Sequence, residues 1–176
     1  MKLHAIKADE LLMQPIALWD HDWLLLTSGD FSKGTYNAMT VAWGGFGNMW
    51  NLPIAVIVVR PTRYTFEFIN TFTDFTLCGF EKEFQTALKI LGTKSGRDGD
   101  KIAASGLTPQ AAEKVKAPVF QQANLHIECR QIYRTDYEPS QFLDKRIIKN
   151  YSDNDFHTLI FGEILASRGS EKYLGT

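Results

Sequence analysis

Residues 37–60 read NAMTVAWGGFGNMWNLPIAVIVVR, and the change of rhythm inside this stretch decides the fold class. From Asn37 to Trp43 the chain alternates, with Asn37, Met39, Val41 and Trp43 on one face and Ala38, Thr40 and Ala42 on the other, the period of a strand. Gly44-Gly45-Phe46-Gly47 then reads as a tight glycine-rich turn. From Pro53 to Arg60 the residues form a continuous β-branched run, the pattern of a strand covered on both faces. Working outward, Trp23–Ser28 is an apolar run stopped by Gly29-Asp30. Phe75–Phe80, Leu125–Arg134 and Phe156–Ala166 complete the strand set. Two helices interrupt it. Thr62 is the expected N-cap of the first, with Tyr64, Phe68 and Phe72 recurring at helical spacing. The second spans roughly Glu81–Leu91, with Gly92 expected as its left-handed C-cap. Many strands with few helices predict a mainly β protein with flanking helices, a barrel whose closure removes edges. The strands do not alternate with helices, which argues against a doubly wound parallel sheet.

Composition narrows the function. The chain has 176 residues, 19 basic and 20 acidic side chains and a net charge of -1. Hydrophobic residues at 44% and charged residues at 22% exclude disorder for the bulk of the chain, and residues 1–176 read as one domain. There is no basic footprint for duplex nucleic acid. The apolar run Ile54–Val59 is far too short to cross a membrane. Residues 1–10 mix Lys2, His4, Lys7, Asp9 and Glu10, so no secretory signal is read. The two cysteines, Cys78 and Cys129, lack zinc or thioredoxin spacing and suit a reducing cytoplasm. The four histidines show no metal-ligand spacing, so no metal is expected. Twelve Phe, six Tyr and four Trp supply both a core and rings to stack on a planar ligand.

Four segments are candidates for chemistry. The small residues Ala38, Thr40 and Ala42 would let a ligand approach the backbone of their strand, flanked by Trp43 and Trp50. The same pattern suits an ordinary barrel strand with a hairpin. Arg60-Pro-Thr-Arg-Tyr-Thr65 joins a buried strand to a helix start, where unpaired N–H groups, Arg60 and Arg63 would attract an anion. It also suits a plain helix cap with solvated arginines. Gly92–Asp100, GTKSGRDGD, has the composition of a backbone anion nest or of a solvated loop, and it lacks P-loop spacing. His157 opens the last strand and is a candidate proton carrier, or a structural histidine. No nucleophile elbow and no dinucleotide-binding glycine fingerprint is present.

Seven segments in order give the chain a resemblance to the flavin reductase-like family, the FMN-binding split barrels that include flavoredoxins. They are NAMTVAWGG (37–45), VVRPTRYTFEFI (58–69), FTLCGF (75–80), LGTKSGRDGDK (91–101), GLTP (106–109), LHIECR (125–130) and FHTLIFGEI (156–164). The resemblance implies a split β-barrel homodimer with one FMN per subunit. Asn37, Ala38, Met39, Thr40, Val41, Ala42 and Trp43 would lie along the isoalloxazine. Arg60, Thr62, Tyr64 and Thr65 would lie near the ribityl-phosphate. Cys78 and Gly79 would approach the ring or its chain, and Lys94 and Ser95 the phosphate. His157 would sit on the nicotinamide side as the catalytic residue. The activity so implied is NAD(P)H-dependent flavin reduction, with free flavin, ferric iron or a redox partner protein as acceptor. A flavoredoxin-like electron carrier without a nicotinamide site, or a split barrel for another ligand, is the alternative.

Overall fold

Strand β2 (Leu24–Asp30) is buried at every residue, because both of its faces are covered. Leu24 and Leu26 point into a barrel interior with Met39, Val41, Ile57, Phe75 and Ile127. Leu25 points outward, onto a second core with Ala38, Cys78, Leu88, Leu91 and Phe120. Two apolar layers on one sheet explain why the strand reads as a run and not an alternation.

The computed structural model describes residues 2–175. The other strands are β1 (His4–Ile6), β3 (Thr35–Val41), β4 (Gly44–Met49), β5 (Leu52–Val59), β6 (Asp74–Gly79), β7 (Pro109–Gln110), β8 (Val119–Phe120), β9 (Leu125–Asp136) and β10 (Thr158–Gly169). The α-helices are α1 (Pro15–Ala17), α2 (Tyr64–Thr71), α3 (Gln85–Thr93), α4 (Lys101–Ser105) and α5 (Lys145–Ile148). The main sheet has the order β3-β2-β6-β9-β10-β5-β4, entirely antiparallel, with β1 also paired to β10. Its two edge strands, β3 and β4, are neighbours in sequence, joined only by Ala42 and Trp43. Three Cα steps reach at most about 11 Å. The sheet must therefore curl until its edges nearly meet, yet β3 and β4 do not pair. The result is a barrel split along one seam, mainly β with the helices outside it.

Several boundaries differ from the sequence reading, each for a local reason. Residues 44–49 are a strand, and the hairpin turn lies later, at Trp50 and Asn51 with φ of 54° and 59°. The N-cap of α2 is Arg63 and not Thr62, and it makes no side-chain capping bond. Gly92 lies inside α3, packed on Thr40, and the left-handed cap is Gly106 (φ 74°) after α4. Gly29 and Asp30 continue β2; Gly29 adopts φ 133° because a Cβ there would strike the Thr35 carbonyl.

The glycines of β4 are not equivalent. A Cβ on Gly44 would lie 2.4 Å from both the Val56 carbonyl oxygen and the Trp19 ring, whereas Gly45 and Gly47 have open space. Gly44→Ala is expected to cost about 1–3 kcal/mol by overpacking, while Gly45→Ala and Gly47→Ala stay within about 0.5 kcal/mol. Urea midpoints of the three variants check this. Equal losses at all three would contradict the packing account.

Candidate functional site

The seam forms the first cleft. Met39, Thr40, Val41, Ala42 and Trp43 line it from β3 and the connection to β4, Val58 and Arg60 from the end of β5, and His157 from the start of β10; its volume is about 220 Å³. Because β3 pairs only with β2, its outer edge presents backbone N–H and C=O groups that no strand satisfies. Trp43 is half-exposed at the mouth, 5.2 Å from the His157 ring.

His157 is buried, and its Nδ1 lies 2.9 Å from the Tyr151 hydroxyl. Burial first, then the positive charge of Arg60, pushes the imidazole down to about 4, against a weaker opposing pull from Asp155. The ring is therefore neutral across the physiological range. Arg60 is held by the 137–157 segment: it pairs with the Asp155 carboxylate, donates to the Asn150 carbonyl (2.7 Å) and stacks over Tyr151 at 5.0 Å.

A second, larger cleft of about 670 Å³ lies at the other end of the same strand. Tyr36 and Asn37 of β3, Tyr64 and Phe68 of α2, Gly96, and Asp100 to Ala103 contribute to its walls. Asn37 donates from Nδ2 to the Thr65 hydroxyl at 2.7 Å. Gly96 is required there, since a Cβ would fall 2.5 Å from Asn37 Oδ1. Lys101 is almost fully buried, and its ammonium donates to the Leu91 (2.9 Å) and Lys94 (3.1 Å) carbonyls at the end of α3. Burial, helped by the charge of Arg63, pulls it down to about 8. Volume alone does not rank the two clefts. The smaller seam cleft gathers seven of the sixteen candidate residues, and this one only Asn37 and Tyr64.

The remaining candidates lie apart from both clefts. Ala38 is buried under α3, and Thr40, which also lines the seam cleft, turns its hydroxyl to the Leu88 carbonyl (2.5 Å), so their side of the strand is covered by a helix. The accessible side of this strand is its edge, not that face. Thr62 is exposed, and Thr65 is buried beside Asn37. Cys78 is in the outer core with its thiol pushed up to about 12 by burial, and Gly79 packs on Leu125. Lys94 and Ser95 lie on the loop after α3, where Ser95 Oγ accepts from the Arg97 amide (3.2 Å). Arg97 pairs with Glu67, so the loop is closed by its own contacts. Sequence reasoning missed Lys101, Tyr36, Phe68, Tyr151 and Asp155. Tyr36, Phe68 and Lys101 share the larger cleft with Gly96, whereas Tyr151 and Asp155 lie against His157 and Arg60.

Residues 22–174 match the model of the flavin reductase like domain. An uncharacterised protein of Pyrococcus abyssi is 30% identical over 110 residues, 62% of this chain and 53% of that protein. The match thus spans about half the length of that curated relative. Among solved structures, an FMN-binding domain of a flavin reductases-like enzyme from Shewanella baltica superposes with a TM-score of 0.69 at 18% identity, covering 96% of this chain and 77% of that one. The flavoredoxin of Desulfovibrio vulgaris (Miyazaki F) gives 0.67 at 25% identity, covering 88% and 72%.

The depressed His157 has a consequence for stability. Its folded value of about 4 lies below the ordinary 6.5, so the unfolded chain takes up the proton first. The contribution is complete above about pH 6.5 and is lost as pH falls toward 4, amounting to at most about 3 kcal/mol. Between pH 7 and pH 4.5 the protein should lose about 1–3 kcal/mol more than His157→Gln in urea unfolding. Parallel losses in the two proteins would contradict a buried neutral imidazole.

Proposed function

The chain belongs to the flavin reductase-like domain family, and from that premise we propose that it is an FMN-binding oxidoreductase reduced by NAD(P)H. The observation that carries the reading is the unpaired edge of β3 lining a cleft walled by Trp43 and His157. An isoalloxazine carries donors and acceptors along its rim and an apolar face. A free strand edge beside aromatic rings offers the complement of both. Met39, Thr40, Val41, Ala42 and Trp43 are therefore the residues for the ring. The phosphate falls to the start of α2, where the N-cap makes no side-chain bond and leaves first-turn N–H groups free, with Thr62, Thr65 and Arg63 beside them. Arg63 suits this better than Arg60. Arg60 is answered by Asp155, whereas Arg63 donates only to the Gly92 carbonyl.

A bound flavin would supply the redox chemistry, accepting hydride from the nicotinamide and passing electrons onward. The protein's part is to orient and to exclude water. His157, neutral and tied to Tyr151, is a poor proton donor near pH 7. Its role in this reading is to wall the nicotinamide side with Trp43 and add no positive charge there. The 25% identity to a flavoredoxin favours a second reading, a flavin-bearing electron carrier that does not use a nicotinamide.

The absorbance spectrum of the purified, FMN-loaded protein, recorded without oxygen before and after NADH or NADPH, separates the two. Flavin bands that bleach support the reductase. Bands that persist with both nucleotides and bleach with dithionite support the carrier. Absence of flavin bands after FMN is supplied would overturn both.

A further inference from the structure

Among the described residues, the one hydrogen bond to the His157 ring comes from Tyr151, and its surroundings fix its direction. Tyr151 is buried, and its hydroxyl has a single partner, His157 Nδ1, at 2.9 Å. Burial first, then Tyr137, raises the phenol above its ordinary value against the pull of Arg60, so the hydroxyl keeps its hydrogen. Around the phenol stand the rings of Phe142 and Phe156, at 5.6 and 4.8 Å between centroids, and the Arg60 guanidinium. None of these accepts a conventional hydrogen bond. If Nδ1 carried the ring hydrogen, the hydroxyl hydrogen would be buried without an acceptor. The hydroxyl therefore donates to Nδ1, and the neutral imidazole carries its hydrogen on Nε2.

That Nε2 has no protein partner. Among the described residues, the buried side-chain nitrogen and oxygen atoms left without one are Trp19 Nε1 and Thr27 Oγ1, so His157 Nε2 is not sealed inside the protein. It opens into the seam cleft that His157 lines. The other buried histidine of the sheet behaves differently: His126 Nε2 lies 3.0 Å from the Phe120 carbonyl, where its hydrogen is used within the fold. The His157 ring cannot exchange its two nitrogens without giving up Tyr151. Tyr151 is itself gripped, because Arg60 stacks over its face at 5.0 Å while being held by Asp155 and the Asn150 carbonyl. A buried hydrogen-bonded ring thus aims one N–H at the cleft.

Resting on the flavin reading of the seam, we infer that Tyr151 is a positioning residue: it donates to His157 Nδ1 and so presents Nε2–H in the cleft to a carbonyl oxygen of a conjugated ring. That carbonyl belongs either to the flavin or to the nicotinamide carboxamide, and the test separates the two. Long-range nitrogen–proton correlation NMR of the FMN-loaded protein at pH 7 should show the hydrogen on Nε2 and Nδ1 as a hydrogen-bonded acceptor. Tyr151→Phe keeps the ring of the cluster, and circular dichroism checks that the variant is folded. Its Nδ1 resonance should move to that of an acceptor without a donor. Tyr137→Phe removes a hydroxyl from the same cluster, 6.3 Å between its ring and His157, and should leave both nitrogens unchanged. In Tyr151→Phe, a loss of about threefold or more in affinity for reduced relative to oxidised FMN assigns the carbonyl to the flavin. An unchanged ratio with a rise of about threefold or more in the KM for NADH or NADPH assigns it to the nicotinamide. Added to His157→Phe, Tyr151→Phe should change neither quantity further, because it acts through the imidazole. A hydrogen on Nδ1, equal effects of Tyr137→Phe and Tyr151→Phe, or a further loss in the double variant would overturn the proposal. So would a Tyr151→Phe protein in which both the FMN ratio and the KM are unchanged. The expected nitrogen signals in a protein that takes up no flavin would overturn the flavin reading and leave the pairing of Tyr151 with His157 standing.

Discussion

The two residues that join β3 to β4 constrain everything else in the molecule. Ala42 and Trp43 link strands at opposite edges of one sheet. A connection this short brings the edges together without letting them pair. The barrel therefore closes everywhere except at one seam, and a row of backbone donors and acceptors is left open beside an otherwise satisfied core. Edge strands are usually a liability that proteins cover or charge. Here helices α2 and α3 cover the upstream part of β3, and the downstream part is left as a cleft. The split is thus the weak point of the sheet and, in the proposed function, its binding surface.

The charges around the seam divide by whether they are answered. Arg60 is neutralised by Asp155 and held by the segment between β9 and β10, so it belongs to the scaffold of the His157 wall. Arg63 and Lys101 are held only by carbonyls at the end of α3. Those carbonyls are the negative end of a helix, which stabilises the cations without neutralising them. A short helix packed outside the barrel thereby holds two cations at its C-terminal end.

Much of the fold was legible from local pattern. The β-branched run ending at Arg60, the buried run at β2 and the long β9 and β10 segments all announce themselves through two-sided burial. β4 was not legible, because three glycines in six residues carry the signature of a turn. Only its pairing with β5 makes it a strand. The candidate site was legible in part for the same reason. Met39 to Trp43, Arg60 and His157 are contiguous or motif-borne, and they meet in one cleft. What decides the role of Arg60 is Asp155, 95 positions away. What makes Lys101 notable is its burial, and no local pattern records that. The small face of Ala38 and Thr40 was read as room for a ligand, and a helix fills it.

The central claim is that the free edge of β3 holds the flavin ring. Amide hydrogen exchange of the protein with and without FMN tests it directly. The account predicts added protection confined to outward-facing amides between Met39 and Trp43, with the β4–β5 hairpin tip at Trp50 and Asn51 unchanged. Protection that leaves Met39 to Trp43 untouched and appears only around Tyr36, Phe68 and Lys101 would contradict it.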